Sequence, residues 1–163
     1  MVPVVARLSE RQPRLVGAVA FGAAGLLVAS AWFFPAIFRG ADPVVALLYL
    51  FLPCFSATVS GAIFGPRVLA AGRKRAMTGA LWGAGASTAA LFLFAPLFAA
   101  VLSWAERGWT NVLGLALLVL WWSLIAVGWP IACVGALVGW LLSRWSTRDG
   151  RDRMDADPVA PLK

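Results

Sequence analysis

Histidine is absent from the 163 residues, tyrosine occurs once and cysteine twice. Without histidine the chain lacks the usual axial ligand of haem, the commonest zinc ligand and the side chain that most readily serves as a base near neutral pH. The two cysteines, Cys54 and Cys133, lie far apart in apolar surroundings with no CxxC spacing. They read as small packing residues, not as a redox pair or metal ligands. Charge is scarce too: 13% of residues are charged against 61% hydrophobic, and the mean hydropathy is +0.84. A water-soluble domain carries about a quarter charged residues, so that class is excluded and an integral membrane protein remains.

The apolar residues collect into four uncharged runs, about 15–34, 44–65, 76–102 and 112–142. Each reaches the roughly 20 residues that a helix needs to cross a hydrocarbon core of about 30 Å. The first run closes at Pro35 and the second at Pro66. The fourth, at about 1.5 Å per residue, exceeds that thickness and must tilt, kink at Pro130 or protrude. The pattern predicts an all-α fold, an integral membrane four-helix bundle made of two transmembrane hairpins over residues 1–142. Residues 143–163 are first basic and then acidic, and read as a disordered cytoplasmic tail. Residues 1–31 admit a competing reading, a secretory signal ending at Ala29-Ser30-Ala31. Hydrophobicity that continues through Trp32, Phe33, Phe34, Ile37 and Phe38 favours a retained helix.

Fourteen Lys and Arg against seven Asp and Glu leave a net charge of +7. Their positions matter more than their sum. Twelve basic residues precede the first run, separate the second from the third, or follow the fourth, whereas the other two connections hold only Arg39 and Arg107. This asymmetry places both termini and the middle loop in the cytoplasm of a multi-pass protein, with the bacterial inner (plasma) membrane as the expected location. Anionic lipid headgroups account for the basic clusters at about 1 kcal/mol per residue, so nucleic acid is not required as a partner. Trp32, Trp104 and Trp109 near one boundary and Trp140 and Trp145 near the other suit aromatic belts.

The ends of the two hairpins resemble each other. Gly61-Ala62-Ile63-Phe64-Gly65 closes the second run, and Gly135-Ala136-Leu137-Val138-Gly139 lies near the end of the fourth; Gly17 to Gly22 aligns with Gly79 to Gly83. Two readings stand: a parallel internal repeat, related by an axis along the membrane normal, or chance alignment of Ala/Gly/Leu-rich sequence. Small residues at helical spacing offer each helix a face for close approach in lipid, where no hydrophobic force draws helices together. The expected packing residues are Gly22, Gly25, Gly61, Gly65, Gly79, Gly83, Gly135 and Gly139, with Gly128 extending the fourth face. Most lie toward the basic ends, and Phe33, Phe34, Phe38, Phe92, Phe94 and Phe98 bulk the other ends, so the bundle is expected to be tight at one end and splayed at the other.

Proton or ion translocation and voltage sensing need ionisable groups at membrane depth, and the four runs contain none. A neutral pathway is the remaining option. Tyr49, Pro53, Ser56 and Ser60 share one helix face, and Pro53 and Pro130 deprive the carbonyls of Tyr49 and Ala126 of a donor, giving a possible polar lining. Trp121, Trp122 and Trp129 read as lipid-facing or packed aromatics, with a flat lipophilic ligand as the competing option. In the outer connections Glu106 with Arg39, Asp42 and Arg107 reads as solvated or cross-loop charge and not as a catalytic base.

No catalytic residue, cofactor site or metal site is predicted, and the protein is not expected to be an enzyme. The leading expectation is an accessory or assembly subunit, or a homo-oligomer, acting through helix packing, with other membrane subunits or a second copy as partners. The competing expectation is a transporter of small uncharged solutes or lipids that uses the proline-altered second and fourth helices. Topology is testable by impermeant maleimide labelling in a Cys54→Ala, Cys133→Ala background. Lys74→Cys and Lys163→Cys are expected to label from the same side, opposite to Ala41→Cys; labelling of Lys74→Cys and Lys163→Cys from different sides would contradict the arrangement.

Overall fold

The computed structural model describes residues 12–38, 43–71, 76–105 and 112–146, with side chains from 32–46 and at 49, 105 and 146 left aside. Within those residues the chain is all helical. Helix α1 spans Pro13–Phe38, α2 Pro43–Ala70 and α3 Ala76–Ala105. Helix α4, Val112–Ser123, continues through a π-helical turn, Leu124–Gly128, into α5, Trp129–Ser146, so that α4, the turn and α5 form one rod. Proline opens both α1 and α2, at the position where its missing N–H would have had no helical partner anyway. At the start of α1 the Gln12 carbonyl accepts from Leu15 N at 3.0 Å and Val16 N at 3.2 Å.

Three helices are long and apolar enough to cross a membrane: Pro13–Ala31, Ala76–Trp104 and Val112–Trp145. The helices outrun the apolar runs at several ends. Helix α1 passes Pro35 and reaches Phe38, and α2 passes Pro66 and reaches Ala70, so neither proline ends its helix as the sequence suggested. Each removes only one backbone bond, and packing against neighbouring helices holds the rest of the turn. The fourth rod answers the presence of Pro130 with the π turn at Leu124–Gly128. A proline ring crowds the carbonyl four residues earlier, here Ala126, and widening the helix there relieves that contact.

The bundle is assembled from two pairs, α1 on α2 and α3 on α4–α5, joined along α2 and α3. Its tightest contacts lie toward the end that carries Arg14, Arg67 and Arg144, called here the basic end. In the first pair Gly17 is pressed against Gly61 and Gly65: a Cβ built on Gly65 would sit 2.8 Å from the Cα of Gly17. In the second pair Gly83 is pressed against Gly135 and Gly139, where a Cβ on Gly139 would sit 2.9 Å from the Cα of Gly83. One turn further, the Cβ atoms of Phe21 and Ser87 would each lie 2.7 Å from a Cβ on Gly61 and Gly135 respectively. One turn back, the carbonyls of Pro13 and Gly79 approach Gly65 and Gly139. The two pairs thus share one contact pattern over three successive turns.

This pattern corrects the register of the repeat. On the second members Gly61 matches Gly135 and Gly65 matches Gly139, as the sequence suggests. On the first members Gly17 matches Gly83, not Gly79, because only Gly17 and Gly83 lie between the two partner glycines. The other expected packing residues divide. Gly22 meets Thr58 and Gly25 meets Ala57 across the α1–α2 contact, and Gly79 meets Ser143 and Gly139. Gly128 has only atoms of its own helix nearby, Leu124 and Ser123, and does not extend the fourth packing face. It belongs to the π turn.

Helix α3 is the central rod. Gly79, Gly83, Ser87, Leu91, Ala95, Ala99 and Ser103 are all buried, one every fourth residue along its length. At the basic end Phe21, Val68, Leu69, Ala86 and Leu142 join all four rods in one cluster. Arg67 there lies 5.0 Å from the ring centre of Trp82, a cation–π contact between α2 and α3.

Alanine at Gly17 or Gly83 should destabilise the bundle by about 1–3 kcal/mol, since backbone must move to admit the methyl group. Alanine at Gly85, where nothing lies within 4 Å, should be neutral or stabilising. Thermal unfolding in mild detergent measures both, and equal tolerance at Gly17 and Gly85 would contradict the packing.

Candidate functional site

Beyond the glycine contacts the rods separate around a cavity of about 330 Å³. Its floor is the layer of Phe21, Ser87 and Gly135, immediately past the tight contacts, and its walls rise toward Phe98 and Val119. All four rods contribute. Helix α1 supplies small residues such as Gly25 and Ala29, α2 supplies Pro53 and Ser56, and the fourth rod supplies Ser123 and Val127 beside and within the π turn. On α3, Phe94 and Phe98 stack at 5.3 Å between ring centres and form part of the wall. Among the described residues the lining carries no ionisable side chain, and serines 56, 87 and 123 supply its hydroxyls.

The cavity has a definite cause in the side chains. Glycine lets α1 meet α2 and α3 meet α5 with backbone against backbone at the basic end. Past that layer, Phe21, Leu91, Phe94 and Phe98 are too bulky for such approach. Helix α4 also takes its substantial contact from α3, with none of that kind from α1 or α2, and none of its residues is buried. The space between α1 and α4 is therefore left unfilled on that side.

Two serines one turn apart on α2 have different situations. Ser60, buried at 1% exposure, donates its hydroxyl to the carbonyl of Ala86 on α3. Ser56 is equally buried, lines the cavity, and its Oγ has no hydrogen-bond partner. Elsewhere on the same helix Thr58 bonds back to the carbonyl of Cys54 at 2.8 Å, the ordinary local solution for a hydroxyl in a helix. The thiol of Cys54 points toward the carbonyl of Gly22 at 3.6 Å, and Cys133 is exposed. Neither cysteine lines the cavity.

Of the residues expected to form a polar lining, Pro53 and Ser56 lie in the cavity wall. Ser60 is instead committed to the α2–α3 contact, and Pro130 is half-buried outside the lining. Its effect reaches the cavity through the π turn, which carries Val127. The side chain of Tyr49 is outside the described residues, as are Arg39, Asp42, Glu106 and Arg107. Trp121, Trp122 and Trp129 face outward, at 66%, 63% and 71% exposure, and do not line the cavity. Gly17 was not among the expected packing residues, although its place in the aligned glycine segment signalled it. Ser123 was missed as a lining residue; its position seven residues before Pro130, two turns along the same face, was the available signal. Among the described residues no three His, Cys, Asp or Glu side chains cluster as metal ligands would.

No protein-family profile, no curated protein and no solved structure matches this chain.

The two serines carry opposite expectations for stability. Ser60→Ala breaks a hydrogen bond between helices and should cost about 0.6–1.7 kcal/mol. Ser56→Ala removes a buried hydroxyl that has no partner and should leave the bundle as stable or more so. Thermal unfolding of the two variants, compared in one detergent, decides; a larger loss for Ser56→Ala would contradict the assignment.

Proposed function

We propose that this is a four-span protein of a bacterial inner membrane that holds a small uncharged solute or a lipid-like molecule between its helices. The observation that supports this most is the cavity: about 330 Å³, walled by all four rods and without an ionisable lining residue among the described residues. Cavities of a few hundred Å³ with mostly apolar walls and a few placed polar groups are the usual form of small-molecule sites. A charged ligand would leave its charge uncompensated there. Helix α2, with 28 residues and packed along both α1 and α3, is the fourth crossing in this reading. The positive-inside asymmetry then puts both termini and the basic connection after α2 in the cytoplasm, against anionic headgroups. Binding of this kind requires no catalytic step by the protein itself.

One observation favours a second reading, that of an accessory or assembly subunit or a homo-oligomer. Helix α4 and the π turn contain no buried residue and expose Trp121, Trp122 and Ile125 along one stretch, a surface on which another transmembrane helix can pack. The glycine faces themselves are used inside the bundle, so contact with a partner would fall on this stretch.

Native mass spectrometry of the full chain released directly from membranes distinguishes the two. The binding reading expects a neutral adduct retained one per chain. Bare monomer under conditions that preserve bound lipid on a control membrane protein would contradict it, and a stable larger complex without an adduct would favour the subunit reading.

A further inference from the structure

We propose that Ser56 is the polar anchor of the cavity. Its hydroxyl would bond a single hydroxyl or carbonyl group of an otherwise apolar, uncharged molecule that enters sideways from the lipid between α1 and α4. The proposal rests on the binding reading above and adds to it a residue, a ligand chemistry and a route.

The residue follows from the missing partner. A buried hydroxyl without a hydrogen bond is unfavourable, and the common remedies are visible around it: Thr58 and Thr88 bond back to their own helices, and Ser60 bonds across to Ala86. Ser56 does neither, although it lies one turn from Ser60 on the same face and is 1% exposed. It is a cavity-lining residue, so an occupant of the cavity lies beside the residue that lacks a partner. Pro53, also in the wall, has no N–H to donate to the Tyr49 carbonyl on the same helix.

The ligand chemistry follows from the rest of the lining. Besides Ser56 the cavity offers two serines, and one of them, Ser87, is pressed against Gly135. A molecule with several polar groups would leave most of them unpaired, and an ion would have no counter-charge. A single hydroxyl or carbonyl on a hydrocarbon body satisfies the inventory. The route follows from the packing: α4 rests mainly on α3 and makes no substantial contact with α1, so a gap between them on the side of the bundle would face lipid in the proposed membrane setting.

The test uses the full chain in phosphatidylcholine vesicles and two photoreactive probes, hexadecanol and hexadecane, each with a mid-chain diazirine. The expected result is saturable insertion of the hexadecanol probe at the cavity-lining positions Ala24, Val28 and Ala29 of α1 and Val119, Val127 and Ile131 of the fourth rod. Ser56→Ala should raise its half-saturating concentration about three- to tenfold, the worth of one hydrogen bond, and leave the hexadecane probe unaffected. Ser56→Cys, which keeps a weaker donor of similar size, should fall between. Saturable insertion that is the same for both probes and for Ser56→Ala would overturn the anchor while leaving the cavity reading intact. Insertion that never saturates and follows lipid exposure, at Leu27, Ile63 and Leu117, would overturn both.

Discussion

Backbone meets backbone at two places in this molecule, Gly17 against Gly61 and Gly65, and Gly83 against Gly135 and Gly139. The other features of the bundle depend on that approach. In hydrocarbon the apolar side chains gain nothing by leaving the solvent, so attraction between helices must come from close contact itself. Only a residue without Cβ allows it at this distance, and the carbonyl of one glycine then sits over the Cα of another, where weak C–H···O bonds add to dispersion. The same three-turn contact pattern recurs in both pairs. Joined along α2 and α3, the pairs bring Ser60 within reach of the Ala86 carbonyl.

What is gained at the basic end sets the shape of the other. Helices that touch at glycine and then meet Phe21, Leu91 and Phe94 must part, and the fourth rod, widened at Leu124–Gly128 ahead of Pro130, leans on α3 alone over its first three turns. A cavity between the rods results from a change of residue size along them, with no special device required. The absence of charge among its described lining residues agrees with the proposed place in a membrane, where an unpaired ionised group is costly. Among the described residues three serines line the cavity, and Ser56 is a buried one whose hydroxyl has no partner.

The all-helical architecture and the identity of most packing glycines were legible in the sequence, because length, uncharged runs and small-residue spacing each have one dominant physical meaning in a chain this apolar. Helix ends were less legible. Pro35 and Pro66 look like terminators, yet they are carried inside helices whose neighbours supply the stabilisation. The repeat was visible but four residues out of register on its first member, since Gly17, Gly22, Gly79 and Gly83 are alike as letters and differ only in what they face. The cavity was half legible. Proline and serine on one face of α2 pointed to a lining, but separating Ser56 from Ser60 needed the position of Ala86, which belongs to another helix. Pro130 marked the fourth helix as irregular, but that the irregularity is a π turn at Leu124–Gly128 was not legible in the sequence.

The most direct measurement is solid-state NMR of the protein in lipid bilayers with glycine labelled at the α carbon. The account predicts through-space correlations between the α carbons of Gly17 and Gly65 and between those of Gly83 and Gly139, and none from Gly85 to a glycine of another helix. A spectrum in which glycine α carbons correlate only within their own helices would contradict it.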